Sequence, residues 1–334
     1  MSFRMLTLVA SFVFAMVCSS AVSAQTSTPG GAAKIIKVAY LKSLSFSPLF
    51  AAIEKKYFAD EGLEIELQIV QSSSEVVAFL ARGQIDVAFG NVAVPFFNGV
   101  RNGFDVRLLA GVSYAASDAA QPSPNPIVIA KTREQEIRST TDLKGRKVAV
   151  NTRGGIIEYQ FAAALKAAGL SINDVELVTL GFPDMLTALT NGVVHAAIVP
   201  EPLATSAIGK GLVVSLVGNP GPGAMLTVAT IGKNLMAPEA GPVTEAFLRA
   251  LRRASAELAS GQSTMSPANL AIWAKYTEIP AAVIVKTRPY TFDKDLAVDL
   301  RDLERQQSYL VETKQVPGAL PLDRLVDGHA KVLR

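Results

Sequence analysis

Cysteine is almost missing from this chain. Its single thiol, Cys18, lies near the start of the 334 residues. Beyond it there is no disulfide pair, no Cys/His metal spacing and no thiol nucleophile. Histidine is nearly as scarce. His195 and His329 are the only two, neither belongs to an HExxH pair, and no nucleophile elbow is present. Catalysis by the common metal and triad constellations is therefore not written here. Charge is thin as well, at 18% of residues, with a formal net charge of +3 and no basic run longer than Arg252–Arg253. Without a basic stripe or interleaved stacking aromatics, nucleic acid is not an expected partner. What is plentiful is apolar: hydrophobic residues make up 49% of the chain, enough for folded cores and, at this length, for two domains of ordinary size.

The first residues read as an export signal. Arg4 supplies the positive start, Leu6–Cys18 the apolar stretch, and Val22-Ser23-Ala24 the small-residue cleavage site. That apolar stretch is too short to span a bilayer. Residues 1–24 are thus expected to leave as a signal peptide, with cleavage after Ala24 and Gln25 first in the mature chain. Val17 stands where a lipobox needs a small residue, so Cys18 is not read as a lipid attachment site. Arg4 leaves with the signal, and the formal charge falls by one, from +3 to +2. Residues 25–34, QTSTPGGAAK, read as a flexible leader.

The stretch Lys37–Gly90 sets the pattern for the rest of the chain. Lys37–Leu41 predicts a buried strand. Ser47-Pro48 is a helix start, Ser at the N-cap and Pro at the first helical position. Phe50, Ile53 and Tyr57 mark one helical face, and Gly62 stops the helix. Leu63–Val70 alternates as a second strand, Glu75–Ala81 is a second helix after Ser72–Ser74, and Ile85–Phe89 a third strand. The same β-α-β-α-β order returns later: Lys147–Val150, Ile156–Ala168, Val175–Leu180, Met185–Thr190 and Ala196–Val199. FLARGQIDVAF at Phe79–Phe89 lies over ALTNGVVHAAI at Ala188–Ile198, which sets His195 on Asp86 and makes it structural. Two such units predict two lobes with their strand-end loops facing across a cleft.

Ala115–Asn125 reads as the crossing between lobes, and Leu226–Ile231 as a strand returning to the first. The rest is expected to be helical: Pro242–Ser260, Pro267–Tyr276, Pro280–Lys286, Asp293–Glu312 and Asp323–Leu333, a coat on the first lobe in which Trp273 is core.

KYFADEGLEI at Lys56–Ile65, LARGQIDVA at Leu80–Ala88, DLKGRKVAV at Asp142–Val150, and Glu201-Pro202 after an apolar strand carry a resemblance to a known family. The chain resembles the periplasmic solute-binding components of ABC importers of the nitrate, sulfonate and taurine type, a superfamily that includes thiamine-precursor synthases. The match runs from about Ile35 to Ile231. It implies an α/β, two-lobe periplasmic-binding-protein fold of type II. Residues 35–120 would form the first segment of lobe 1, 121–229 lobe 2, and 230–334 the return to lobe 1. It further implies a monomeric, non-enzymatic periplasmic protein without cofactor or metal, delivering a small ligand to permease subunits in the inner membrane. The same fold also serves a few enzymes. An exported binder of a pyrimidine-like heterocycle, an enzyme acting on one, and a sensor subunit are the other readings.

Strand-end loops collect ligands because free backbone N–H groups and helix dipoles point there. In lobe 1 the candidates are Ser43 and Ser47, with Phe46 packing a ligand's body, then Ser72, Ser73 and Asn91; each serine also has the alternative of capping a helix. In lobe 2 they are Asn151, Thr152, Arg153 and Gly154, where glycine admits a close backbone approach and Arg153 offers a fork for a sulfonate or carboxylate. This loop is expected to face Ser43–Ser47. Phe182 either stacks on a ligand or lines the wall. Glu201, between two prolines, accepts from a ligand, forms a salt link across the cleft, or caps the next helix. Aromatics, hydroxyls and one arginine together suit an organic anion better than bare nitrate.

Overall fold

The computed structural model describes residues 33–70, 75–259 and 264–334. The signal-peptide and Cys18 readings, most of the 25–34 leader, Ser72 and Ser73 lie outside the described residues.

Lobe 1 opens with β1 (Lys34–Tyr40), α1 (Ser47–Glu54), α2 (Tyr57–Asp60) and β2 (Leu63–Ile69). It continues with α3 (Val76–Arg82), β3 (Val87–Gly90), α4 (Val94–Arg101) and β4 (Val106–Tyr114). The chain then crosses to lobe 2: β5 (Ile127–Ala130), β6 (Lys147–Val150), α5 (Ile156–Ala167) and β7 (Glu176–Thr179). α6 (Phe182–Thr190), β8 (Ala196–Ile198), α7 (Leu203–Gly209) and β9 (Val213–Val217) complete that lobe. β10 (Met225–Gly232) returns.

Each lobe is built on a five-stranded sheet, ordered β2-β1-β3-β10-β4 in lobe 1 and β7-β6-β8-β5-β9 in lobe 2. The two orders correspond strand for strand. In both, three parallel strands adjoin an antiparallel one, β10 against β3 and β5 against β8. In both, the antiparallel strand is the one that follows a crossing. The sequence repeat is therefore real at the level of the backbone. Asp86 N–H donates to Lys37 O and His195 N–H donates to Lys147 O, at 2.9 and 2.7 Å, the same bond in the two lobes.

After β10 come α8 (Lys233–Met236), α9 (Gly241–Ala259), α10 (Pro267–Thr277), α11 (Ala281–Ile284) and α12 (Leu300–Glu312). One face of sheet 1 packs on α1, α2, α9 and α10 through Leu49, Phe50, Phe58, Phe247 and Trp273. The other packs on α3, α4 and α12 through Leu80, Phe97, Leu303 and Leu310. Full burial of side chains of this size contributes about 1.5–3 kcal/mol each. Trp273 keeps its indole N–H satisfied by donating to Thr264 O at 3.0 Å. Both faces of sheet 2 are likewise covered.

The C-terminal region is less helical than its sequence predicts. Of the helix expected over 293–312, only α12 forms. Asp293 Oδ1 accepts from the N–H groups of Asp295 and Ala297, which holds 293–297 in a turn, and Asp299 caps α12 by accepting from Asp302 N–H at 3.0 Å. The expected 323–333 helix is a three-residue turn, Leu322–Arg324, and a strand pair of Val332–Leu333 with Val298–Asp299. There Asp327 accepts from His329 N–H and contacts its ring, closing a turn beside Gly328. The expected 280–286 helix shrinks to α11. No helix among the described residues is long and apolar enough to cross a membrane.

Candidate functional site

The lobes meet along two seams, and the sequence-predicted residues distribute between them. The β6–α5 loop, Asn151–Gly155, forms part of the first seam. It meets the β3–α4 loop: Val94 N–H donates to Gly154 O at 3.3 Å, and a Cβ built on Gly155 lies 3.9 Å from Asn91 Oδ1. Asn91, Asn151 and Thr152 are half-buried.

Glu158, one turn into α5, organises this first seam. Its side chain is fully buried, accepts three hydrogen bonds and pairs with one cation. Oε2 accepts from Gly154 N–H at 3.0 Å and forms an ion pair with Arg153 Nε at 3.0 Å, both from its own loop. Oε1 takes the Tyr309 hydroxyl and Gln315 Nε2, each at 2.6 Å, from lobe 1. Burial, and then the Glu158 carboxylate, push the Tyr309 phenol well above its ordinary range, so it remains a donor. The contact is reciprocal. α12 carries Asp302, 1% exposed, which accepts from the Tyr159 hydroxyl of α5 at 3.2 Å and from Met225 N–H at 2.7 Å. Gln306 Nε2 and Arg305 complete its shell. Burial and the Asp302 charge push Tyr159 up to about 12. The Tyr159 and Tyr309 rings meet edge to face, 5.9 Å apart. Each helix thus offers a carboxylate to the other's tyrosine. Arg153, 56% exposed, is already committed to Glu158.

The second seam lies at the ends of β1 and β8. Glu201, its side chain wholly buried, accepts from Thr205 N–H and Oγ1 at 3.1 and 2.9 Å and from Arg288 at 3.0 Å. It therefore does what two of its sequence readings foresaw, tying α7's first turn and a salt link across the lobes. Thr205 Oγ1 also reaches Lys286 O at 3.4 Å. Tyr290 packs against the cores of both lobes. Burial first, and the nearby Glu201 charge, raise its phenol, while the Ser43 hydroxyl beside it opposes the shift. Among the described residues Arg288 pairs only with Glu201, through one nitrogen. Its side chain is 19% exposed, and the remaining N–H groups of the fork have no protein partner among the described residues.

Two lobe 1 candidates are differently placed from expectation. Phe46 is 2% exposed and packs edge to face on Phe89, inside the core of lobe 1. Ser47 does not cap α1; its hydroxyl donates to Leu44 O at 2.7 Å. Ser43 is the cap here, accepting from Ser45 N–H at 3.2 Å at the start of a short 3-10 turn. Phe182 opens α6 and packs between the two cores of lobe 2.

A family profile described as "NMT1/THI5 like" matches residues 43–262. The chain belongs to the NMT1/THI5-like family. No curated protein matches it in sequence. Solved structures do match this NMT1/THI5-like chain in shape. The periplasmic aliphatic sulphonate binding protein SsuA from Escherichia coli is 20% identical, with a TM-score of 0.70 over 90% of this chain and 94% of that one. The periplasmic nitrate-binding protein NrtA from Synechocystis PCC 6803 is 16% identical, with 0.65 over 87% and 83%. A C27S mutant of DSZB in complex with biphenyl-2-sulfinic acid is 18% identical, with 0.61 over 88% and 96%. At such identities the likeness establishes the fold, and the NMT1/THI5-like chain has the two-lobe periplasmic-binding-protein fold.

The residues that sequence reasoning missed are Glu158, Arg288, Tyr290, Tyr309 and Gln315. Only Glu158 left a trace: it is the lone acid in an apolar helix start, where a carboxylate meets the dipole favourably. The others are brought in from far along the chain.

Proposed function

We propose that the protein is the solute-binding component of an ABC importer. In this reading it is exported to the periplasm after cleavage behind Ala24. It captures a small organic anion, sulfonate, taurine-like or aromatic acid, between its lobes and hands it to a membrane permease without converting it. The observation that carries the reading is Arg288, a largely buried cation held by Glu201, with the Tyr290 phenol, itself beside Ser43, near the same carboxylate. A guanidinium so held suits a planar or tetrahedral oxyanion. In this reading Asn91, Asn151 and Thr152, half-buried and from both lobes, would line the rest of the cleft. Family membership and the shared fold with sulfonate- and nitrate-binding proteins support the same class. Contact with both lobes would make closure depend on ligand.

The test is a thermal-shift screen of the mature chain against alkyl and aromatic sulfonates, aromatic carboxylates, nitrate and thiamine-precursor pyrimidines. Hits are followed by calorimetry and recovery of the bound compound. A ligand at 100-fold over its dissociation constant adds about 2.7 kcal/mol of stability. Stabilisation by sulfonates or carboxylates, with the compound recovered intact, is expected. Response to the pyrimidines alone, or conversion of the compound, would overturn the anion-carrier reading.

A further inference from the structure

The N-terminus of α5 has every attribute of an anion site, yet its anion belongs to the chain. Four groups converge there: three hydrogen-bond donors, Gly154 N–H, the Tyr309 hydroxyl and Gln315 Nε2, and the Arg153 guanidinium as an ion pair. They divide two and two between the oxygens of one buried carboxylate, and two and two between the lobes. The site is sealed as well as filled. Gly154 is fully surrounded, and a Cβ there would strike Val94 and Gln315 from lobe 1.

We propose that this loop is a carboxylate receptor filled from within by Glu158, and that it clamps one edge of the molecule whether or not ligand is bound. An outside anion is excluded there on two grounds. The three hydrogen-bond donors are spent on Glu158, and a second negative group would sit against a buried carboxylate. Asp302 and Tyr159 fix the same pair of helices from the opposite direction. Opening and closing are then confined to the Glu201–Arg288 edge, and the charged end of a ligand is read there. This rests on the solute-binding reading for its ligand consequence, but the receptor itself does not.

The experiment empties the receptor and refills it. Glu158→Ala leaves the three donors and the Arg153 guanidinium around a vacant carboxylate-sized space. Its thermal midpoint is compared with wild type in sodium formate and in sodium chloride at equal ionic strength. In chloride the variant is expected to melt about 3 °C or more below wild type. Formate should raise its midpoint saturably while leaving wild type unmoved, and the rise should shrink in Glu158→Ala/Tyr309→Phe. Glu158→Gln keeps the shape and fills the space without charge. It should fold, melt below wild type and ignore formate, which keeps the test decisive should the alanine variant not fold. Wild-type melting by Glu158→Ala or by Glu158→Gln overturns the proposal. So does a formate effect equal in wild type and Glu158→Ala. The formate readout needs no physiological ligand. A ligand screen that finds nothing would defeat the solute-binding reading and leave the receptor standing.

Discussion

Replacing Gly154 by alanine tests the seam through the backbone. Gly154 has φ +65° and its carbonyl accepts from Val94 N–H. Two costs separate. The left-handed conformation costs an L-residue about 1–2 kcal/mol. The added methyl then meets Val94 Cγ2 and, at 2.5 Å, Gln315 Oε1. Val94 is β-branched and stiff at χ1. Gln315 can swing away only by giving up its bond to Glu158. Overpacking of this kind costs about 1–3 kcal/mol, so the sum is about 2–5 kcal/mol. Gly169 provides the control. It has φ +76° in the same lobe, and a Cβ there meets nothing within 4 Å, so Gly169→Ala should show the backbone cost alone. The assay is urea denaturation of both variants, with small-angle scattering of the native states, because parting the lobes would relieve the clash and enlarge the molecule. Val94→Ala in the Gly154→Ala background should recover part of the loss. If Gly154→Ala lost no more than about 0.5 kcal/mol beyond Gly169→Ala, with unchanged scattering, the close approach of the lobes at this loop would be refuted.

Two further outcomes are expected from the same packing. Arg288→Ala strips the buried Glu201 of its cation while Thr205 keeps its two bonds. It should cost about 1.5–3 kcal/mol in urea unfolding, and Arg288→Ala/Glu201→Gln should be less destabilised than Arg288→Ala alone. Burial, then Arg133 and Arg146, hold the His195 pKa below its ordinary value. The unfolded chain therefore binds the extra proton, and stability falls as pH drops below about 6.5 toward the lowered native value. Urea midpoints at neutral pH and at about pH 5 should show a smaller acid loss for His195→Asn than for wild type.

What the sequence made legible was local. Glycine stops such as Gly62, Gly83 and Gly192, and apolar runs such as Lys147–Val150, were enough to order both β-α-β-α-β units, because periodicity and turn chemistry act over a few residues. Reading the C-terminal region as helices throughout overweighted composition. Asp293, Asp299 and Asp327 form side-chain turns and caps that compete with helix. The site was legible only as loops. Ser43, Asn91 and Glu201 lie at strand ends as their positions predict. The partners that define their environment do not follow from spacing: Tyr309 and Gln315 stand 151 and 157 residues from Glu158, and Arg288 stands 87 from Glu201. Phe46 shows the converse. An aromatic in a strand-end loop suggests contact with a ligand's body, and here it packs on Phe89 instead.

The return strand has a consequence for how the molecule is made. Lobe 2 is continuous, with all five strands between Ile127 and Val217. Lobe 1 is not, because β10 lies between β3 and β4 and pairs with both. Until Gly232 has been synthesised, β3 and β4 have no common neighbour, and Ala229 and Ile231 are missing from the core of that lobe. On a chain that grows from its N-terminus, lobe 1 is begun first and completed last, waiting on a strand that cannot arrive before the whole of lobe 2 has passed.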